Sequence, residues 1–324
     1  MLLLVPYLFP SLRLLEVAVQ DLRLPALEKI LARGSREAFA DEGIEAALCQ
    51  ALGIERQQDW PLAPIALQAD GGDPGTDYWL RADPVYLSVM RDRVVLADSQ
   101  ALELDQAEAD ALAASIHGHF GDSFSPLALR PRRWYLRLRQ APQMSTTPLS
   151  CATGCDIDPL LPRGHDASHF RALLNELQML LHDHPLNQRR EARGQLPVNS
   201  LWLWGGGVLP RVRPRGTLTV AADHPDVQAL LSFAGATRVS VSAGFDQGRP
   251  DVVLLETLVA AGQSGDAFGW REGVREIDKL LQDVLQDGRG FILADPVRGR
   301  ACAWRKACRL KLWHHPSRLV DALR

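Results

Sequence analysis

One stretch of the chain stands out by its composition: His184-Pro-Leu-Asn-Gln-Arg-Arg-Glu-Ala-Arg-Gly-Gln-Leu-Pro-Val-Asn-Ser-Leu-Trp-Leu-Trp-Gly-Gly-Gly207. It joins a polar segment rich in Asn and Arg to the apolar run Leu201–Trp204, which predicts a buried strand. Three glycines follow, and glycine lets a backbone approach a neighbouring group closely. The stretch therefore predicts a helix–loop–strand junction that is either a ligand site or a packed part of the core.

On both sides of this stretch, helical and strand patterns alternate. Strands are predicted at 1–10, 201–204, 216–221, 238–242, 252–256 and 290–294, and helices at 24–34, 42–52, 169–182, 227–234 and 270–285. Alternation of this kind is typical of an α/β fold with a doubly wound, mostly parallel sheet.

The middle of the chain has a different pattern. After the turn-rich segment 69–76, three strand patterns, a helix at 105–117 and a strand at 133–138 precede a loop-like segment at 140–168. This order favours a small α+β unit inserted into the larger fold. We therefore predict a core domain formed by 1–74 and 166–324, with an inserted α+β cap at 75–165.

Composition excludes several classes of protein. Of the 324 residues, 46% are hydrophobic and 23% charged, and the net charge of -3 gives no general attraction to nucleic acid or anionic membrane. The five cysteines are an odd number, which favours reduced thiols over a disulfide framework. The apolar N-terminus is shorter than the ~20 residues that span a bilayer. These features predict a cytoplasmic protein with no membrane partner.

The distinctive stretch resembles the "HP-N-x-x-R … G … P-x-N … W-x-W-G-x-G" block of archaeal-type cofactor-independent phosphoglycerate mutases, members of the alkaline phosphatase superfamily. It resembles a bacterial group of RpfE-type regulatory proteins even more closely. Shorter matches follow in the family's order at Val5–Leu8, Leu24–Gly34, Trp79–Tyr86 and Gly262–Asp266. The resemblance implies an alkaline-phosphatase-like core with an inserted cap.

The resemblance also implies two divalent metals held by Asp and His, and a serine that carries the phosphoryl group. Two metals clamp the attacking and leaving oxygens, and without them a serine is a poor nucleophile. The matching positions carry other residues: Tyr7 for a metal Asp, Ile44 for the serine, Val259 and Gln263 for an Asp and a His, and Pro296 for a second His. Asp295 is retained. These losses predict a degenerate, non-catalytic homologue without a cofactor.

Polar side chains of the distinctive stretch are candidates for a ligand site. They are His184, Asn187, Arg190, Arg193 and Asn199. Arginine suits bidentate recognition of phosphate or carboxylate, and asparagine offers a donor and an acceptor. The predicted ligand is accordingly a phosphorylated or carboxylated metabolite. The alternative is a purely architectural role, with Trp202 and Trp204 in the core.

A second constellation has the spacing of a zinc site. It consists of Cys151, Cys155, His165 and His169. Thiolate and imidazole are the ligands that tetrahedral zinc prefers, but Pro159 and Pro162 interrupt the segment. Two reduced thiols and two surface histidines are the favoured interpretation, which leaves no predicted metal.

The C-terminal segment Arg298–Trp313 is basic with interleaved tryptophans, a pattern that can bind nucleic acid by phosphate contacts and stacking. The alternation of Cys308, Leu310 and Leu312 with basic residues instead predicts an edge strand with a basic outer face. We favour the edge strand, so nucleic acid is not a predicted partner.

The sequence thus predicts a phosphoglycerate-mutase-like protein with a regulatory or small-molecule-binding role. Two alternatives stay open: a metal-dependent mutase or phosphatase with an atypical site, and a protein-interaction scaffold.

Overall fold

The computed structural model describes residues 1–11, 14, 17–19, 21–97, 101–211, 218–223, 227–241 and 250–310. The strands are β1 (Leu2–Leu4), β2 (Ser35–Ala38), β3 (Tyr78–Val85), β4 (Leu87–Val89), β5 (Val94–Leu96), β6 (Pro126–Arg130), β7 (Arg133–Leu138), β8 (Met144–Ser145), β9 (Arg163–Gly164), β10 (Ser200–Gly207), β11 (Thr219–Ala221), β12 (Thr237–Val239), β13 (Val252–Leu254), β14 (Phe291–Asp295) and β15 (Arg300–Trp304).

The helices are α1 (Pro25–Arg33), α2 (Ile44–Leu52), α3 (Leu62–Ala69), α4 (Gln106–Phe120), α5 (Leu149–Ala152), α6 (Ala167–His182), α7 (Pro185–Ala192), α8 (Val227–Ala234), α9 (Val259–Ser264) and α10 (Ala267–Gln286). Short 3₁₀ helices lie at Gly121–Ser123, Asp158–Leu160 and Lys306–Leu310.

The chain forms two compact units. As far as they are described, the first comprises Met1–Leu52, Pro214–Leu231 and Gly235–Arg324, and the second comprises Gly53–Arg213 and Ser232–Ala234. The predicted cap was shorter, at 75–165. The difference arises because β10 pairs with β3 along most of its length, which groups 166–213 with the antiparallel strands of the second unit.

The first unit is built on a seven-stranded sheet with the order β12-β11-β13-β1-β14-β15-β2. The pairings from β12 through β14 are parallel, and those that add β15 and β2 are antiparallel. Leu3 and Leu4 of β1 are fully buried, as expected for a strand covered on both faces. The predicted α/β class with a mostly parallel sheet and an α+β unit inserted in the chain is confirmed.

Helix α10 packs one face onto this core. Its buried residues recur every three or four positions: Trp270, Gly273, Val274, Ile277, Asp278, Leu281 and Val284. The carboxylate among them has a structural role, because Asp278 Oδ1 accepts a hydrogen bond from the Leu27 amide at 2.8 Å. Helix α1 has no side-chain cap from its own preceding residue, so Asp278 satisfies one of its otherwise unpaired amides.

The second unit contains a four-stranded antiparallel sheet with the order β10-β3-β7-β6. β10 lies at the end of that order, yet all its residues are buried, because α3 and α6 contact it. Leu80, Trp134 and Leu203 from the sheet share a core with Leu112 of α4 and Leu177 of α6.

The predicted edge strand at 308–312 is wrong for the described part of the segment. Residues Lys306–Leu310 form a 3₁₀ helix, and the strand of this region is β15, which ends at Trp304. β15 is not an edge strand, since it pairs with both β14 and β2. The remainder of the predicted strand and of the basic segment, 311–313, lies outside the described residues, as do parts of the strands predicted at 216–221 and 238–242.

Four helices, α3, α5, α7 and α9, lie where no helix was predicted. Among the described residues, no helix is both long and apolar enough to cross a membrane.

Candidate functional site

The carboxyl ends of β1 and β14 lie side by side, because the two strands are parallel neighbours. In open α/β sheets this edge is where ligands bind. Asp295, the last residue of β14, is fully buried there. Its Oδ1 accepts hydrogen bonds from the amides of Tyr7, Val297 and Arg298 at 3.2, 3.0 and 3.1 Å, and its Oδ2 accepts one from Phe9 at 3.0 Å.

Burial raises the pKa of Asp295, although the four backbone N–H groups act to lower it. Through these four hydrogen bonds, the carboxylate joins the loop after β1 to the loop after β14.

Tyr7 lies in this edge in an unusual conformation. Its φ is 61°, a region that non-glycine residues seldom adopt. The side chain is buried, and Trp270 Nε1 donates a hydrogen bond to the Tyr7 carbonyl at 2.9 Å. A Cβ placed on Gly262 of α9 would lie 2.6 Å from Tyr7 Cδ1. The phenol ring thus lies directly against α9, where the resemblance places two metal ligands at Val259 and Gln263.

The segment matched to the nucleophile also lies at this edge. Ile44 begins α2 and is buried, and the amide of Gly43 donates to the carbonyl of Pro296 at 3.0 Å. Two segments that the resemblance implies should meet are therefore adjacent. Neither isoleucine nor proline can ligate a cation or attack phosphorus.

The side chains at these positions do not fit a two-metal site. Of the matched ligand positions only Asp295 supplies a carboxylate, and both its oxygens accept backbone N–H groups. Across the described residues, no three or more His, Cys, Asp or Glu side chains are grouped so that they could hold a metal ion.

The same finding covers the zinc-like constellation. Cys151, Cys155, His165 and His169 form no such group. His165 instead lies on the surface, with its Nδ1 2.8 Å from Asp166 Oδ1, and this hydrogen bond is the largest cause of a lowered Asp166 pKa. The zinc alternative receives no support from the geometry.

The two asparagines of the distinctive stretch bind backbone groups. Asn187 Nδ2 donates to the carbonyls of Leu181 and Val198 at 2.8 and 2.7 Å, and its Oδ1 accepts from the Val198 amide at 3.0 Å. Asn199 pairs with both backbone groups of Leu87, at 2.7 Å to the amide and 2.9 Å to the carbonyl. Each asparagine therefore holds a loop in place, much as a neighbouring strand would.

Arg190 is almost fully buried and has protein partners for each of its guanidinium nitrogens. Nε donates to Leu196 O at 2.9 Å, Nη2 donates to Glu103 O at 2.7 Å, and Nη1 pairs with Glu108. Arg193 is exposed at the C-terminal end of α7. The contacts of Arg190 are those of a structural arginine, and its predicted ligand role stays a prediction.

His184 precedes α7 and caps it. Its Nδ1 accepts from the Leu186 amide at 3.2 Å, and its Nε2 lies 2.9 Å from Ser115 Oγ. Burial, with a smaller contribution from Arg189, lowers the pKa of His184. The neutral imidazole that can act as a cap acceptor is therefore favoured.

The aromatic and glycine residues of β10 serve packing. Trp204 Nε1 donates to Asp83 Oδ2 at 2.7 Å, and its ring lies 5.0 Å from the guanidinium carbon of Arg81, the ion-pair partner of Asp83. A Cβ on Gly207 would lie 2.6 Å from Pro61 Cβ. Because these glycines have no side chain, neighbouring protein groups can approach their backbone closely, so packing accounts for them.

Two cavities adjoin this stretch within the second unit. The smaller, about 320 Å³, is lined in part by Asn187 and Asn199. The larger, about 670 Å³, lies between α6 and the β4–β5 hairpin, and Asn199 and Trp202 also line it. Neither cavity is lined by His184, Arg190 or Arg193, so the structure brings only part of the predicted set to a concave surface.

Curated relatives of the chain are phosphoglycerate mutases. It is 31% identical over 153 residues to a probable 2,3-bisphosphoglycerate-independent phosphoglycerate mutase of Geobacter sulfurreducens, covering 46% of this chain and 38% of that protein. It is 29% identical over 226 residues to 2,3-bisphosphoglycerate-independent phosphoglycerate mutase 2 of Methanothermobacter thermautotrophicus, covering 59% and 54%. The matches thus span about half or less of these relatives. No protein-family model matches the chain.

Among solved structures, a cofactor-independent phosphoglycerate mutase from Thermoplasma acidophilum is similar over 99% of this chain and 93% of that chain, with 18% identity and a TM-score of 0.45. A likeness at this level carries no inference about function.

Sequence reasoning overlooked the polar face of α6 that lines the larger cavity. Asn175, Gln178 and His182 lie there together with Arg171. A signal was present, because uncharged polar residues at positions i, i+3 and i+7 share one helix face.

Proposed function

We propose that the chain is a phosphoglycerate-mutase-like protein that does not catalyse the mutase reaction and instead acts as a regulatory or small-molecule-binding protein. The observation that carries this proposal is the environment of Asp295, whose two oxygens accept four backbone N–H groups. To ligate a divalent metal, the carboxylate would have to give up hydrogen bonds and leave buried amides unpaired, which is unfavourable.

The replaced positions support the same proposal. Ile44 lies where the resemblance places the nucleophile, and it has no group that can accept a phosphoryl. Tyr7 lies where the resemblance places a metal ligand, and its ring packs against Gly262. The likeness of the distinctive stretch to RpfE-type regulatory proteins supports a regulatory role in the cytoplasm.

The test is a phosphoglycerate mutase assay with added Mn²⁺, paired with metal analysis of the purified protein. The 2,3-bisphosphoglycerate-independent phosphoglycerate mutase 2 of Methanothermobacter thermautotrophicus serves as the positive control. We expect no turnover above the protein-free rate and no Mn²⁺ retained after gel filtration. Turnover together with retained metal would overturn the proposal and restore the alternative of a metal-dependent enzyme with an atypical site.

The scaffold alternative has one favourable observation. Val89 and Met90 of the β4–β5 hairpin and Met179 of α6 are exposed by 82%, 52% and 68%, and large exposed apolar side chains can mark a partner surface. If these residues mediate self-association, the sedimentation coefficient should rise with protein concentration, and Val89→Asp should remove that rise.

A further inference from the structure

The larger cavity has the dimensions and lining of a small-molecule site. Its volume of about 670 Å³ falls within the ~300–1,000 Å³ typical of ligand pockets. Apolar side chains from several elements line it, among them Leu174 from α6, Leu201 and Trp202 from β10, and Leu87 from β4. Trp202 is held in place because its Nε1 donates to the Thr147 carbonyl at 2.9 Å. The indole is only 4% exposed, so it contributes to the apolar wall of the cavity and does not present an open ring face.

Three polar side chains converge on the same cavity. Asn175, Gln178 and His182 lie at i, i+3 and i+7 of α6 and all line it. Within the described part of the chain, the side chain of none of the three makes a hydrogen bond to another residue. Together they present amide and imidazole donors and acceptors along one side of a partly apolar cavity.

The charges around the cavity oppose an anionic ligand. Its only cationic lining residue among those described, apart from the imidazole of His182, is Arg171. The Nε and Nη2 of Arg171 both donate to the Pro162 carbonyl, at 3.1 and 2.6 Å. Asp158 and Asp183 line the cavity as well, so two carboxylates face one guanidinium. A phosphorylated or carboxylated molecule would meet net repulsion there.

We propose that this cavity binds a neutral molecule with a lactam or amidine edge, which packs against the apolar wall and pairs its donors and acceptors with Asn175, Gln178 and His182. The inference rests on the proposed binding function and narrows it, because it replaces an anionic metabolite by a neutral ligand. Amides recognise lactam or amidine edges by matched donor and acceptor pairs, and drug-sized ligands are bound by apolar walls with a few placed polar groups.

The experiment is a titration of isotopically labelled full-length protein with quinazolin-4-one, followed by backbone amide NMR shifts. A parallel titration uses 2-naphthoate, a flat anion of similar size. We expect quinazolin-4-one to shift the amides of 171–182 and 199–202, and 2-naphthoate to bind at least about tenfold more weakly because of the carboxylates.

A matched pair of variants locates the contact. Gln178→Leu should weaken quinazolin-4-one binding about fivefold, the change that loss of one neutral hydrogen bond produces. Gln188→Leu makes the same change at an exposed residue of α7 that lines neither cavity, and it should leave binding unchanged. Unaltered amide spectra away from the substituted residue show that both variants fold.

Three results would overturn the inference: no shifts around the cavity, equal or tighter binding of 2-naphthoate, or equal affinity in the Gln178→Leu variant. The mutase assay is independent of all three. Absence of both turnover and cavity binding would remove the cavity site and leave the non-catalytic proposal standing, whereas turnover would overturn the proposed function whatever the cavity binds.

Discussion

The sheet edge around Asp295 and the junction His184–Gly207 differ in which polar side chains they contain and in what those side chains bind. At the sheet edge, two segments that the resemblance matches to catalytic elements meet, as the hydrogen bond from Gly43 to Pro296 shows, but the side chains of Ile44 and Pro296 have no group that could serve as a nucleophile or a metal ligand. At the junction the polar side chains are present, yet Asn187, Arg190 and Asn199 bind the protein's own backbone.

This difference shows that the residue type alone does not separate a structural polar residue from one that binds a ligand or takes part in catalysis. The groups that its side chain contacts separate the two. Asp295 and Arg190 both belong to types that serve catalysis and recognition, and both are buried with protein partners for their charged atoms. If that interpretation is correct, removing either should lower stability, while the exposed residues beside them should tolerate change.

The largest effect is expected at Arg190. In the Arg190→Met variant, the carbonyls of Leu196 and Glu103 and the carboxylate of Glu108 lose their partner. We expect the free energy of unfolding to fall by about 3 kcal/mol, since breaking a buried ion pair leaves uncompensated polar groups. Urea unfolding measures this change. Arg193→Ala, at an exposed position, should alter stability by less than about 0.5 kcal/mol, and equal losses in both variants would break the comparison.

A slightly smaller effect is expected at Asp295. Replacement by alanine leaves four backbone amides without an acceptor, two of them in buried and two in partly buried hydrogen bonds, and should lower the free energy of unfolding by about 2–3 kcal/mol. Unchanged stability in Asp295→Ala would contradict the structural role.

The pH dependence at Asp295 has a defined sign. Because burial raises the folded-state pKa of Asp295, protonation of this carboxyl group favours the folded state. Its contribution to the free energy of unfolding is fully present below the unfolded-state pKa of about 4. That contribution is lost as pH rises through the raised folded-state pKa. The stability difference between wild type and Asp295→Asn should accordingly shrink over that range, as measured by urea unfolding at a series of pH values.

Crowding at Tyr7 gives the third prediction. Gly262→Ala introduces a methyl group against the Tyr7 ring, and overpacking of this kind lowers stability by about 1–3 kcal/mol. In a Tyr7→Gly background the same substitution should have almost no effect, which a double-mutant cycle tests. Gly118→Ala is the control, because nothing lies within 4 Å of its Cβ in α4, and it should stabilise the protein by less than about 1 kcal/mol.

The smallest effect is expected at His184. Burial lowers its folded-state pKa, so its contribution is present above the unfolded pKa of about 6.5 and is lost as pH falls through the lowered value. His184→Asn keeps a good cap acceptor and removes the titration. The variant should lose less stability than wild type between about pH 7.5 and pH 5, by less than about 1 kcal/mol. Identical pH profiles would exclude His184 as the titrating group.

Much of the fold follows from local patterns. The helices near 25–33, 106–120, 167–182 and 267–286 have strong apolar periodicity, and the structure contains helices there. Helix α7 was overlooked because its residues are mostly polar and its stability depends on Asn187 and Arg190, whose partners lie in other segments. The 3₁₀ helix at Lys306–Leu310 was taken for a strand, since a few alternating residues do not distinguish the two.

The candidate site was predictable only in part. Ile44 and Pro296 lie at positions that the resemblance matches to a nucleophile and a metal ligand, and the lack of a reactive group in their side chains is evident without coordinates. The cavity beside α6 was not predictable, because Asn175, Gln178 and Trp202 become neighbours only when β10 packs against that helix.

By itself, the sequence determined the α/β class, the inserted α+β unit and the inert side chains of Ile44, Val259 and Pro296, because periodicity and side-chain chemistry are local properties. Tertiary structure alone decided which polar residues are structural. Asn187, Arg190 and Asp295 have no partners in sequence that reveal their role, and their hydrogen bonds reach across up to 288 positions. Burial makes such contacts obligatory, since an unpaired polar group away from water is strongly unfavourable.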